Sequence, residues 1–127
     1  MRALVQALRC RRGNAAIEFA LIAPVFLALI VGVMEVGRIL WIQNTLQQAV
    51  ERAARCATVN ASSCGSASAV QQFAATQAAG IGVPASAFTA TTPACGNQVR
   101  ASMSYAYMTS LLPMPALTLS AQACFPK

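Results

Sequence analysis

The chain has 127 residues with nine Lys+Arg against three Asp+Glu, a formal net charge of +6, and no histidine or aspartate. Such a length allows one modest domain. A His-dependent triad, a His-ligated metal site and an Asp/Glu dyad would each lack parts, so neither enzymatic activity nor a cofactor or metal is expected. The basic excess does not point to nucleic acid, because four of the nine cations (Arg2, Arg9, Arg11, Arg12) crowd ahead of residue 13, directly upstream of a long apolar run.

That run carries no charged side chain from Phe19 to Met34, 16 residues. Widened to Ile17–Trp41 it holds 25 residues, interrupted only by Glu18, Glu35 and Arg38. At the helical rise these lengths are roughly 24 and 37 Å, which bracket a bilayer core of about 30 Å. A single transmembrane helix over about 17–41 is expected, with Glu35, Arg38 and Trp41 at the membrane interface. Glu35 and Arg38 stand at i, i+3, and a tryptophan suits the headgroup level. The positive-inside rule puts the Arg-rich N-terminus in the cytoplasm and residues after about 42 outside. A cleaved secretory signal fits poorly, because the apolar run ends in Glu35-Val36-Gly37-Arg38 rather than a small-x-small site. Cys10 precedes the run, so it cannot serve as a lipoprotein cysteine. An uncleaved single-pass envelope anchor or scaffold is the alternative reading of this segment.

Glu18 is the informative residue. A carboxylate within a membrane helix costs roughly 2.5–3.5 kcal/mol on insertion scales, although near a helix N-terminus the dipole favours it. Its context is Arg11-Arg12-Gly13, then Asn14-Ala15-Ala16-Ile17-Glu18-Phe19, then unbroken apolar sequence. This resembles the class III leader of type IV pilins, which a prepilin peptidase cuts after glycine and in which a glutamate stands fifth in the mature chain. The resemblance implies processing between Gly13 and Asn14 and a role for Glu18 in subunit registration. The new α-amino group, with an ordinary pKa of about 7.7–8.0, would pair with a neighbouring subunit's Glu18, so that neither charge is buried alone.

Residues Arg12-Gly13, Ala16-Ile17-Glu18-Phe19-Ala20-Leu21, Pro24, Gly32, Glu35 and Gly37-Arg38 are similar to the TadE-like pseudopilins of the tight-adherence (Flp) pilus system. The likeness covers about residues 11–56. Asn14 departs from the Phe or Met that begins many type IV pilins. Major Flp pilins end soon after their helix, so the long remainder of this chain implies a minor pilin or pseudopilin. The implied partners are the membrane, a prepilin peptidase, other pilin or pseudopilin subunits and the pilus assembly platform, with no nucleic acid. The implied location is the bacterial inner membrane, with the C-terminal domain periplasmic and open to incorporation into a pilus. Pro24 removes one helical hydrogen bond and clashes with the carbonyl four residues back, which predicts a kink. Prolines are also simply tolerated in membrane helices.

Beyond Trp41 the helical pattern continues. Ile42, Leu46, Ala49, Val50, Ala53 and Ala57 recur at spacings of three and four among Gln, Asn, Glu and Arg. One helix over 14–57, roughly 66 Å long, is expected, its second half offering an apolar stripe to an outer domain of residues 58–127. With residues 1–13 as a cytoplasmic leader, three segments result.

In the outer domain, residues 58–65 turn polar and read as a loop. Ser66 is placed to cap a helix through about Ala79, with Val70, Phe73, Ala74 and Gln77 on one face and Gly80 as its stop. The period then changes to two. Phe88–Thr91 is one strand. Val99, Ala101, Met103, Tyr105 and Tyr107 alternate with polar residues as a second, and Leu117, Leu119 and Ala121 mark a third. Leu111–Pro115 reads as a loop. The fold class is α+β, pilin-like: a long N-terminal transmembrane helix and a small three-stranded antiparallel sheet. A core this small benefits from staples. Four cysteines (Cys56, Cys64, Cys95, Cys124) lie in the outer region, an even number that suits disulfides in an oxidising periplasm. Three connectivities are open, of which the local one, Cys56–Cys64 with Cys95–Cys124, is favoured. Zinc is disfavoured because there is no Cys-x-x-Cys and no histidine.

Overall fold

The computed structural model describes residues 14–108 and 115–126. Helix α1 (Asn14–Val59) is followed by a short helix α2 (Ala61–Cys64), helix α3 (Ala67–Gln77), two 3-10 turns (Ala79–Ile81 and Ala85–Ala87) and strands β1 (Phe88–Thr91), β2 (Asn97–Tyr105) and β3 (Leu117–Phe125). The α+β class read from the sequence is the observed one. The chain divides into two compact units at Gly37/Arg38, each described by itself.

In the first unit the described residues are the first half of α1. Ala, Leu, Ile, Val and Phe surround the helix on every side, and the helix continues through Pro24. Its large apolar side chains from Ile17 to Val36 are all exposed, Phe19 and Leu21 each by 72%. A helix apolar all round belongs in a core or in lipid. The stretch is long and apolar enough to cross a membrane.

The second unit, residues 38–127, packs the second half of α1 against α3 and the sheet. Ile42, Leu46, Ala49, Val50 and Ala53 form the buried stripe that their spacing predicts, with Ala54 and Cys56 added, while Ala57 lies at its margin. Phe88, Leu46, Val50 and Val99 are the largest fully buried side chains. Alanines at positions 49, 53, 54, 74 and 78 keep these layers close, each almost fully buried.

Helix α1 runs two residues past the expected Ala57, and the polar stretch after it is not a plain loop. The Asn60 side-chain oxygen accepts from the Ser63 N–H (3.2 Å), capping α2. Serine, asparagine and alanine permit such a capped turn as readily as a loop, and the neighbouring disulfide fixes which forms. Ser66 caps α3 as expected, accepting from the Ala69 N–H at 3.2 Å. Val70 and Ala74 are buried beneath it. The stop differs: α3 ends at Gln77, and the chain reverses through the 3-10 turn to Gly82, whose φ of 65° supplies the left-handed conformation expected of Gly80.

The sheet order is β1-β2-β3, antiparallel throughout. Phe88 pairs with Ala101, and Ala101 with Ala121. This register puts Phe88, Val99, Ala101, Tyr105, Leu119 and Ala121 in the core and leaves Thr89, Arg100, Ser102, Ser120 and Gln122 outside. Strand β2 begins and ends two residues earlier than its alternation suggested, so Tyr107 lies past its end. Gly96 leads into β2 at φ 121°, where an added Cβ would collide with the Phe125 carbonyl. Of the expected loop at Leu111–Pro115, residues 111–114 lie outside the described residues.

Candidate functional site

The candidate site is helix α1 itself, together with the devices that hold the C-terminal domain on its second half. Of the expected processing residues, Gly13 lies outside the described residues and Asn14 is the first residue of α1. Glu18 follows one turn later and is exposed. Residues 14 and 18 stand at i, i+4, so they share one face of the helix. Pro24 lies inside the helix, where it offers no N–H to the Ala20 carbonyl.

Of the three residues expected at the membrane interface, Glu35 is 9% exposed. Arg38 is exposed and lays its guanidinium over the Tyr105 ring, 5.5 Å from the centroid, a cation–π arrangement. Tyr105 and Tyr107 meet edge to face at 5.2 Å. The Tyr107 hydroxyl donates to the Pro115 carbonyl at 3.2 Å. The two tyrosines therefore tie the ends of β2 and β3 together. Trp41 is exposed by 55%, yet one edge of its indole stands about 4 Å from where a Cβ on Gly80 would be.

Anchorage of α1 to the sheet is polar as well as apolar. Gln43 Nε2 donates to the Ser120 carbonyl (2.8 Å), and Gln47 Nε2 to the Gln122 carbonyl (3.4 Å) and to Glu51 Oε1 (2.9 Å). Two residues of strand span about 6.8 Å and four of helix about 6 Å. The two spacings nearly match, so the pair of glutamines fixes the register of helix on strand. They also occupy the open side of β3, where an unpaired strand edge invites another chain. At the other end of the helix, Asn97 Nδ2 donates to the Ala57 carbonyl and to Thr58 Oγ1, both at 3.2 Å. Arg52 donates to Gln77 Oε1 at 2.9 Å, linking α1 to α3. These roles were not foreseen. Only the i, i+4 spacing of Gln43 and Gln47 hinted that they share a face.

The four cysteines after residue 55 form Cys56–Cys64 and Cys95–Cys124, with Cα–Cα distances of 5.8 and 6.3 Å. The local connectivity is therefore the one present. The first bond closes the end of α1 onto α2. The second ties the approach to β2 to the last turn of sequence in β3. Among the described residues no three His, Cys, Asp or Glu side chains gather as metal ligands. A surface groove of about 640 Å³ lies over the outer face of the sheet, and Arg100 is the one charged residue among those lining it.

These features define a chain with an apolar helix long enough for a membrane and a small head held by glutamines and two disulfides. A family model described as TadE-like protein matches residues 13–55. Over that segment the chain is similar to TadE-like proteins, consistent with a protein of the Tad pilus system; the sheet and all four disulfide cysteines lie beyond the match. No curated protein matches the chain, and no solved structure does.

Proposed function

We propose that this chain is a minor pilin or pseudopilin that acts in assembling a tight-adherence (Flp) pilus by packing its helix against other pilin-type subunits. The observation that carries the reading is the surface of α1 between Ile17 and Val36, where every large apolar side chain is exposed. A contiguous apolar surface of this extent has to be covered by something. Lipid covers it before assembly, and neighbouring helices cover it afterwards.

In this reading a prepilin peptidase cuts between Gly13 and Asn14, the position at which the TadE-like match begins. The N-terminus is cytoplasmic, the helix crosses the inner membrane, and the head folds in the periplasm, where its disulfides form. Glu35, Arg38 and Trp41 sit at the membrane–water boundary on the periplasmic side. Pro24 loosens one turn of the helix, which eases repacking as the subunit leaves the bilayer for the assembly platform. The chain itself performs no catalysis and is the peptidase's substrate.

Glu18 sets the axial position of one helix on the next by pairing with the α-amino group that cleavage creates on a neighbour. Removing one partner of a buried ion pair costs about 3–5 kcal/mol. Glu18→Ala should therefore leave membrane insertion unchanged and cut incorporation into the assembly by roughly two to four orders of magnitude. Intact mass and N-terminal sequencing of the membrane-extracted protein test the processing step. A chain beginning at Asn14 supports the reading, and one beginning at Met1 sinks it in favour of an uncleaved anchor.

A further inference from the structure

The head does not distribute its exposed apolar side chains evenly. Among the described residues of 38–127, four large hydrophobics are exposed: Leu40 (63%), Trp41 (55%), Val59 (72%) and Met108 (60%). Val59 stands at the far end of α1, about 30 Å of helix from Arg38. The other three lie at the Arg38 end. Leu40 and Trp41 follow Arg38 within one turn. Met108 is brought there by the strand ends, because Arg38 covers the Tyr105 ring at 5.5 Å and Tyr105 meets Tyr107 at 5.2 Å, one residue before Met108. The Tyr107 bond to Pro115 holds both strand ends at this level. Arg38 is also the first residue after Gly37, where the apolar half of α1 ends.

From these placements we infer that the β2–β3 end of the head, through Met108, seats in the headgroup–acyl boundary of the bilayer beside Leu40 and Trp41. The inference rests on the proposed membrane placement of α1 and adds a second, non-helical lipid contact to it. Lipid is the occupant that the chemistry favours. Leu40 and Trp41 follow the apolar span directly along the chain, and Met108 lies at the same end of the head. The sequence between Arg100 and Lys127 has no charged side chain to desolvate. The Trp41 indole, with one apolar and one polar end, suits that boundary, and Arg38 can keep its guanidinium among headgroups while its stem stays apolar. A two-point seat would also fix the rotation of the head about the helix axis, which a single helix passing through lipid leaves free. The subunit would then present one defined face to its partners before assembly.

Trp41 is the only tryptophan in the chain, so the full-length protein supplies its own probe. It would be reconstituted in vesicles of phosphatidylcholine and phosphatidylglycerol with brominated acyl chains, and its indole emission compared with that in unbrominated vesicles. Loss of Trp41 emission is expected from the membrane placement alone. In the variant carrying Trp41→Phe and Met108→Trp, the probe moves to position 108. A comparable fractional loss of emission there, with a blue shift, supports the lipid seat. Quenching of Trp41 without quenching at 108 overturns the inference and leaves the membrane placement standing. No quenching at either position overturns both. A blue shift at 108 without bromine quenching means burial against protein, such as a second copy, and also overturns it. The unaltered chain gives a check free of substitution: a lipid-phase diazirine reagent should label Met108 as well as the helix, and label confined to residues before Gly37 would refute the contact.

Discussion

Two leucines on one helix carry the main lesson. Leu27 and Leu46 lie on the same continuous α1, yet Leu27 exposes 59% of its surface and Leu46 none. Backbone geometry and intrinsic helix propensity do not distinguish them. What differs is the company each keeps. Around Leu27 the helix is apolar on all sides, which suits a surrounding that is itself apolar. Around Leu46 the sequence alternates a narrow stripe of Ile, Leu, Val and Ala with Gln, Asn, Glu and Arg. One side of that stripe meets the head, and its flanks carry the hydrogen bonds that hold it there. A helix can therefore be extended across two environments without a break, provided that its pattern changes from all-round to one-sided at the boundary. Here the change falls near Arg38.

The contrast can be broken most directly by shortening each leucine. Leu46→Ala removes a fully buried side chain and should lower the head's stability by about 3–5 kcal/mol. Leu27→Ala should leave the head's thermal unfolding unchanged in detergent. Unfolding of the purified full-length chain, followed by circular dichroism, measures both, and equal effects would mean that the two halves share one core. The next effect in size concerns the disulfides, which serve only the second half. Loop-closure entropy assigns the 29-residue Cys95–Cys124 link about 3.6 kcal/mol and the eight-residue Cys56–Cys64 link about 2.5 kcal/mol. The double Ser replacement of Cys95 and Cys124 should therefore lower the head's unfolding midpoint more than that of Cys56 and Cys64, with no change in membrane extraction behaviour. The smallest effect sharpens the account of how helix and sheet are registered. Gln43→Ala loses one helix-to-strand hydrogen bond and should cost about 1 kcal/mol, whereas Asn44→Ala, on the exposed side of the same turn, should cost little. Hydrogen exchange at the edge of β3 would show the difference locally.

Much of this was legible in the sequence, for physical reasons that differ from residue to residue. The apolar run needs no partner to be recognised, because its length and lack of charge are properties of consecutive residues. The stripe from Ile42 to Ala53 follows from helical period alone, and the register-bearing alternation of β2 from period two. Ser66 declares its cap through local chemistry. The errors lie where local chemistry allows two outcomes. Asn60-Ala61-Ser62-Ser63 suits a loop and a capped turn equally, and the choice depends on Cys64 reaching Cys56. Gly80 and Gly82 can each end a helix, and only the path of the chain into β1 selects Gly82. The sites of polar contact between helix and sheet were invisible, since a glutamine that fills a strand edge has the same sequence signature as one facing water.

The amino-acid sequence by itself therefore determined the helix, its change of pattern near Arg38 and the three strands. Each is a matter of period, length or spacing within a continuous segment. Only the tertiary structure decided which cysteines join, that Gln43 and Gln47 close the edge of β3, and that Arg38 meets Tyr105. Those contacts join residues 8 to 77 positions apart, and no local rule orders such distant groups until the chain has folded them together.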